Sequence, residues 1–414
     1  MHLKVASGRS ALAAMLAAGI GALAAGLVCA PAMAQGVKGV QGVKVGELNS
    51  YSRFAAFAVP YRNGMQLAQE EINAKGGVLG GKLEIIFRDD GATPSDAVRV
   101  AEELLTRENV AFLAGTFLSN VGLAVADFAN QKRTLFIATE PLTDAITMGA
   151  GNRYTFRIRP STYMQTKMLV EAVKGKGVKK WAIVAPNYEY GQSAAANFRK
   201  LIKAATPDAE IVGEQFPALG KIDAGATVAA LENLKPDGIF NVLFGADLTT
   251  FVREGNTRGL FEKRMVASLL TGEPEYLLPL GEEVPEGWIV TGYPWDQINE
   301  PAHKAFVDAY RAKYNDTPRL GSFLGYAVGY MMRDLIAKAG STDTEKLLAT
   351  LQDFKFASLA GPLTIRALDH QSTMGAWVGE TTRAGKVGSM KNWQYEDGAK
   401  YLVPEADVRA ARKE

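Results

Sequence analysis

Short apolar runs of strand length alternate along this chain with longer stretches in which apolar residues recur every three or four positions. The run at 43–48 predicts a strand, and a loop of small and aromatic residues, 49–58, follows it. Met65, Ala68 and Ile72 then mark one face of a helix, which the Lys75-Gly76-Gly77 stop ends. A second strand at 83–87 closes on Asp89-Asp90. This βαβ order implies a parallel sheet, and ligands of such sheets bind beyond the carboxyl ends of the strands. The loop at 49–58 lies at one such end.

The alternation continues with a helix over 98–105, strands at 110–114 and 134–138, and an alternating run at 154–160. Ser119 and Asn120 open a helix after the first of these strands, where a hydroxyl and free amides either cap the helix or hold a carboxylate. A helix over 164–173 and a strand at 181–184 begin a second βα series. Strands at 210–216, 238–243 and 264–270 continue it, with helices over 224–234 and 247–257 between them. Late helices are expected over 303–314, 322–339 and 344–351, late strands at 376–379 and 392–395, and a frayed polar end from Pro404.

The start of the chain differs in character. His2, Lys4 and Arg9 precede an apolar stretch over 11–28, and Ala32-Met33-Ala34 offers a small-x-small cleavage site. This pattern predicts a secretory signal peptide over 1–34, cut between Ala34 and Gln35, and a periplasmic mature protein. A glycine- and alanine-rich core argues against a retained anchor. The single cysteine, Cys29, lies in this leader behind the bulky Val28, which disfavours lipidation. Loss of Lys4 and Arg9 with the leader leaves 44 basic and 44 acidic residues, so no nucleic-acid partner is expected. With 414 residues the chain is long enough for two or three domains.

The stretch Glu70-Glu71-Ile72-Asn73-Ala74-Lys75-Gly76-Gly77, with Gly81-Lys82-Leu83-Glu84 and Asp89-Asp90, resembles the periplasmic solute-binding proteins of branched-chain amino acid-type ABC transporters, the leucine/isoleucine/valine-binding family. The resemblance implies an α/β fold of two Rossmann-like lobes with parallel sheets, joined by three crossing strands: the type I periplasmic binding fold. Lobe I would comprise 43–157 and 294–360, and lobe II 158–290 and 363–404. It further implies capture of a small solute, an amino acid or related carboxylate, for delivery to an inner-membrane permease. An aromatic carboxylate, a small amide or a ligand-presenting sensory role are the alternatives.

The same resemblance nominates site residues. Ser119 falls at the family's ligand-carboxylate serine, and Glu273 at the glutamate that takes the ligand ammonium, with a solvated loop carboxylate as the alternative. Glu140 and Leu142 fall where the family carries small residues and a threonine, and an ionised Glu140 would repel a carboxylate. Tyr190, in a tyrosine-glycine turn, is either a pocket wall or a packing residue. Phe244 aligns with a ligand-facing aromatic. With Phe57 and Tyr163 these rings make an aromatic candidate wall.

Other chemistries lack their signatures. Of the mature chain's two histidines, His303 is expected on a solvated helical face. There is no G-x-S-x-G elbow, phosphate loop or G-x-G-x-x-G, and no zinc spacing. Asp89-Asp90 is expected to be solvated. No metal, cofactor or enzymatic activity is expected; a Glu140/Glu273 acid–base pair is the catalytic rival, and two carboxylates also suit a cationic ligand. The polar segment 368–374 has no assignable function.

Overall fold

The computed structural model describes residues 42–412. The leader, Cys29 and the cleavage site lie outside these residues. In the first lobe, β1 (Val43–Asn49), α1 (Ala55–Ala74), β2 (Leu83–Asp89), α2 (Pro94–Thr106), β3 (Leu113–Gly115), α3 (Ser119–Lys132), β4 (Phe136–Ala138) and β5 (Thr155–Arg157) follow one another. The strands form an all-parallel sheet in the order β2-β1-β3-β4-β5. Helices cover it, so β3, β4 and β5 are buried throughout; β3 and β4 lie in apolar runs of the sequence, while β5 alternates and buries Arg157.

The second lobe takes α4 (Thr162–Val173), β6 (Lys180–Val184), α5 (Glu189–Ala205), β7 (Glu210–Gln215), α6 (Ala224–Leu234), β8 (Gly238–Asn241), α7 (Gly245–Thr257), β9 (Met265–Gly272), α8 (Pro274–Leu280) and β10 (Ile289–Gly292). The chain then returns to the first lobe with α9 (Pro301–Tyr314), α10 (Leu320–Ala339), α11 (Thr344–Leu351) and the hairpin β11 (Lys355–Ser358) and β12 (Gly361–Thr364). It ends with β13 (Ala376–Ala384), β14 (Val387–Glu396) and α12 (Glu405–Ala411). The second sheet runs β14-β13-β10-β9-β8-β6-β7. Five of its strands are parallel, and β13 and β14 add an antiparallel edge.

Close packing of α1 on α10 fixes the mouth of the first lobe. A Cβ on Gly64 would lie 1.9 Å from the Ser322 carbonyl oxygen, and one on Gly325 2.1 Å from that of Tyr61. Only glycine lets the backbones approach so closely. This contact sets Phe57, on α1, beside Gly321, the second residue of α10.

Several expectations need correcting. Residues 361–364 are half of a hairpin, and the chain passes back to the second lobe only after Ile365, which bridges to Ser372. The polar end forms α12, whose Val408 is buried against Tyr163 and Met164. His303 is fully buried, with Nε2 2.7 Å from the Tyr293 hydroxyl. Asp90 is also buried; its Oδ1 accepts from Ser50 Oγ and Ala92 N, each at 2.8 Å.

The unassigned segment 368–374 laces the third passage between lobes onto the first. Arg157 N donates to the His370 carbonyl and Ser372 N to that of Arg157, each at 2.9 Å. His370 adopts φ +61° and stacks on Phe156 at 4.0 Å.

Candidate functional site

Seven of the eight nominated residues converge on one cavity between the lobes. Ser119 follows β3, Glu140 and Leu142 follow β4, Tyr190 follows β6, Phe244 follows β8, and Glu273 follows β9. Each therefore lies past the carboxyl end of a strand, where the parallel topology puts a ligand. Phe57 reaches the cavity from the first turn of α1, a helix, where a loop was expected.

Tyr163 is the exception. It sits one residue inside α4 and packs against Met164, Val403 and Val408, away from the cavity. The C-terminal segment, expected to be frayed, supplies the apolar surface that takes this ring.

Ser119 is not a helix cap. It is the first residue of α3, which has no side-chain cap, and its Oγ accepts from Thr143 N at 3.2 Å. Glu273 is not solvated. It is buried and ion-paired with Arg159, itself buried two residues past β5. Glu140 is buried too, and its Oε2 accepts from Asn49 Nδ2 at 2.8 Å. Glu275, on the first turn of α8, accepts from Gly321 N at 3.0 Å and Leu320 N at 3.3 Å. Those are orphan amides at the start of α10.

Three carboxylates thus surround one guanidinium. Burial would lower the Arg159 pKa, but the negative charge of Glu273 and Glu140 outweighs it and holds the group above its ordinary value. Burial pushes Glu140 up to about 8; Asn49 and Arg159 pull the other way, and the charges of Glu275 and Asp90 add to the rise. Burial likewise pushes Glu273 up to about 8, against the pull of Arg159. One buried cation offsets one buried anion, so the surplus carboxyls favour their protonated forms near neutrality.

Rings from both lobes meet above this centre. Phe57 stacks on Phe117 at 5.1 Å and meets Tyr276 of the second lobe at 5.6 Å and Phe244 at 6.3 Å. Tyr190 abuts Phe244 at 5.9 Å, and its buried hydroxyl has no partner. Rings of the two lobes thus touch across the cleft. Behind the ion pair, a second cavity is lined by residues of all three passages, among them Pro160, Thr291 and Ala376.

Arg159, Phe117, Tyr188, Glu275 and Tyr276 were not anticipated from sequence. Glu275 and Tyr276 lie on α8, a seven-residue helix holding two prolines and too short to show a period. Among the described residues no group of three or more histidine, cysteine or acidic side chains is arranged to hold a metal ion.

A model of the periplasmic binding protein family matches residues 42–386. The chain is 28% identical over 332 residues to the Leu/Ile/Val-binding protein homolog 7 of Brucella suis, covering 76% of this chain and 79% of that one. It is 28% identical over 309 residues to the leucine-, isoleucine-, valine-, threonine- and alanine-binding protein of Pseudomonas aeruginosa, covering 73% and 79%. In fold it matches the solute binding protein of an ABC transporter from Rhodopseudomonas palustris BisB5, in complex with 3,4-dihydroxybenzoic acid. The TM-score is 0.77 at 22% identity, over 87% of this chain and 99% of that one. Two α/β lobes, a cleft at the strand ends and a family match over most of the length agree: the chain belongs to the periplasmic binding protein family.

Proposed function

We propose that this protein is the periplasmic substrate-binding component of an ABC transporter, and that its ligand is a small ring-bearing carboxylate. The observation that carries the ligand class is the Arg159 guanidinium buried at the floor of an aromatic-walled cleft. Phe57, Phe117, Phe244 and Tyr276 offer faces and edges to a planar ring. Arg159 offers paired donors to a carboxylate, and Ser119 lines the same cavity. The unpartnered Tyr190 hydroxyl is available to a polar group on the ring. The structurally similar R. palustris protein holds a ligand of this class.

A second reading is an amino acid, as the names of the B. suis and P. aeruginosa relatives have it. The specific observation favouring it is the two buried carboxylates, Glu140 and Glu273, in the cleft. That reading requires Glu273 to share its charge between Arg159 and the ligand ammonium.

In this account the leader 1–34 directs export, and the inner-membrane permease receives the ligand. The lobes part at 157/158, at 290/294 and in the passage after Ile365, and turn about these three passages. Native mass spectrometry of the exported protein, purified without unfolding, tests the ligand class. An aromatic acid as the retained species is expected; a retained aliphatic amino acid contradicts it.

A further inference from the structure

An ionised Glu140 would repel the carboxylate that Arg159 is set to receive, so the reading above has to explain why this acid lines the cleft. Its placement answers the question. The side chain is buried, and Asn49 Nδ2 occupies Oε2. The other oxygen has no hydrogen-bond partner among the described residues, and the side chain lines the ligand cavity. Acidic or phenolic groups act on it from several elements: Glu47 on β1, Asp90 after β2, Tyr61 on α1, Glu273 after β9, and Glu275 on α8. Glu47 is itself buried, with Oε1 unpartnered. Arg159 is the cation that acts on Glu140 among the described residues, and its contact partner is Glu273.

We propose that Glu140 enters the closed cleft as an uncharged carboxylic acid and donates a hydrogen bond from its free oxygen to the ligand's carboxylate, while Arg159 supplies the charge. This rests on the ring-bearing carboxylate reading and deepens it, because it makes Glu140 a specificity-determining residue. The uncharged acid rewards an acceptor on the ligand, and a ligand that can only donate leaves its proton unmatched. The elevated pKa of Glu140 supports the assignment. Binding of the anion then favours the protonated acid, so binding is accompanied by proton uptake wherever the unliganded cleft is partly ionised. By linkage, affinity holds below the pKa of that acid and declines about tenfold for each pH unit above it.

The test is calorimetric titration of benzoate, which stays ionised throughout, into wild type and Glu140→Gln between pH 6 and 9.5. The amide introduced by Glu140→Gln keeps a donor and the reach to Asn49 but has no proton to lose. Wild type is expected to bind equally from pH 6 to 7.5 and to lose at least tenfold by pH 9.5, with proton uptake at pH 8 seen as a buffer-dependent heat. Glu140→Gln is expected to bind with an affinity that does not change between pH 7 and 9.5. A flat wild-type profile overturns the inference while leaving the ligand class intact. A profile that still declines in Glu140→Gln overturns it too, since Glu273 would then be the titrating group. Should Glu140→Gln fail to fold, Glu273→Gln decides: its affinity is expected to decline with pH as that of wild type does, and a flat profile would assign the proton to Glu273 and overturn the inference. Absence of benzoate binding at every pH overturns the ligand class and this inference together.

Discussion

Gln371 Oε1 accepts a hydrogen bond from Arg157 Nε at 2.5 Å, joining residues 214 positions apart. The Gln371 amide also donates to the Arg159 carbonyl oxygen at 3.1 Å. The third passage between the lobes is therefore bonded to the first on both sides of Ile158, directly beneath the guanidinium that faces the ligand. The hinge is thus braced at its floor, and the orientation of Arg159 depends on it. Gln371→Leu would leave Arg157 Nε unpaired in a site where burial already lowers the arginine to about 10. A loss of about 2–3 kcal/mol in unfolding free energy is expected from urea denaturation. A loss under about 0.5 kcal/mol, the range of an ordinary surface substitution, would contradict the brace.

His303 and His370 should be silent at neutral pH. Burial pushes His303 and His370 down to about 4. Each is neutral in the fold but takes up a proton near pH 6.5 when unfolded. Their contribution to stability is therefore full above about pH 6.5 and is lost as pH falls towards 4. Proton NMR of the mature protein should show neither ring titrating between pH 5.5 and 8. A midpoint near 6.5 for either would contradict its burial.

Closure has a latch outside the ligand cavity. Asp144, in the turn after β4, accepts from Thr162 Oγ1 at 2.9 Å, Tyr163 N at 3.0 Å, and Ser193 Oγ at 3.2 Å and Asn197 Nδ2 at 2.5 Å on α5. Asp144→Ala should shift the unliganded protein towards the open form, raising the radius of gyration in small-angle scattering. Ligand affinity should weaken by about tenfold, because less of the protein is competent to close. Unchanged scattering and affinity would remove the latch from the account.

The rings of the cleft are not equivalent to Tyr163. Phe244 touches Phe54, Phe57 and Phe117 across the cleft. Phe244→Ala should weaken ligand binding by about 2 kcal/mol, roughly thirtyfold. Tyr163→Ala should change affinity by less than about threefold, since its ring packs on Val403 and Val408. Calorimetric titration of both variants checks the contrast, and equal losses would contradict the placement of Tyr163.

What the sequence revealed and what it hid have physical causes. Ser119 was legible because it opens a helix after a buried apolar run; Glu140, Phe244 and Glu273 also follow such runs, but it was the family resemblance that singled them out. Arg159 was not, because it continues the alternating run at 154–160 and reads as a solvent-facing strand residue. Its burial depends on Glu273, 114 positions later. His303 sits on a helix whose other face is charged, and Tyr293 from a neighbouring passage covers it. The segment 368–374 carries no periodicity, since its hydrogen bonds go to β5 and the first passage.

The central claim is that the cleft takes a ring-bearing carboxylate on Arg159. Calorimetric titration of 3,4-dihydroxybenzoate and of L-leucine into the mature protein at pH 7 tests it most directly. The account predicts micromolar binding of the aromatic acid, about −8 kcal/mol, and leucine at least a hundredfold weaker. It also predicts that Arg159→Gln abolishes the difference. Leucine binding more tightly than the aromatic acid, or aromatic-acid binding that survives Arg159→Gln undiminished, would contradict it.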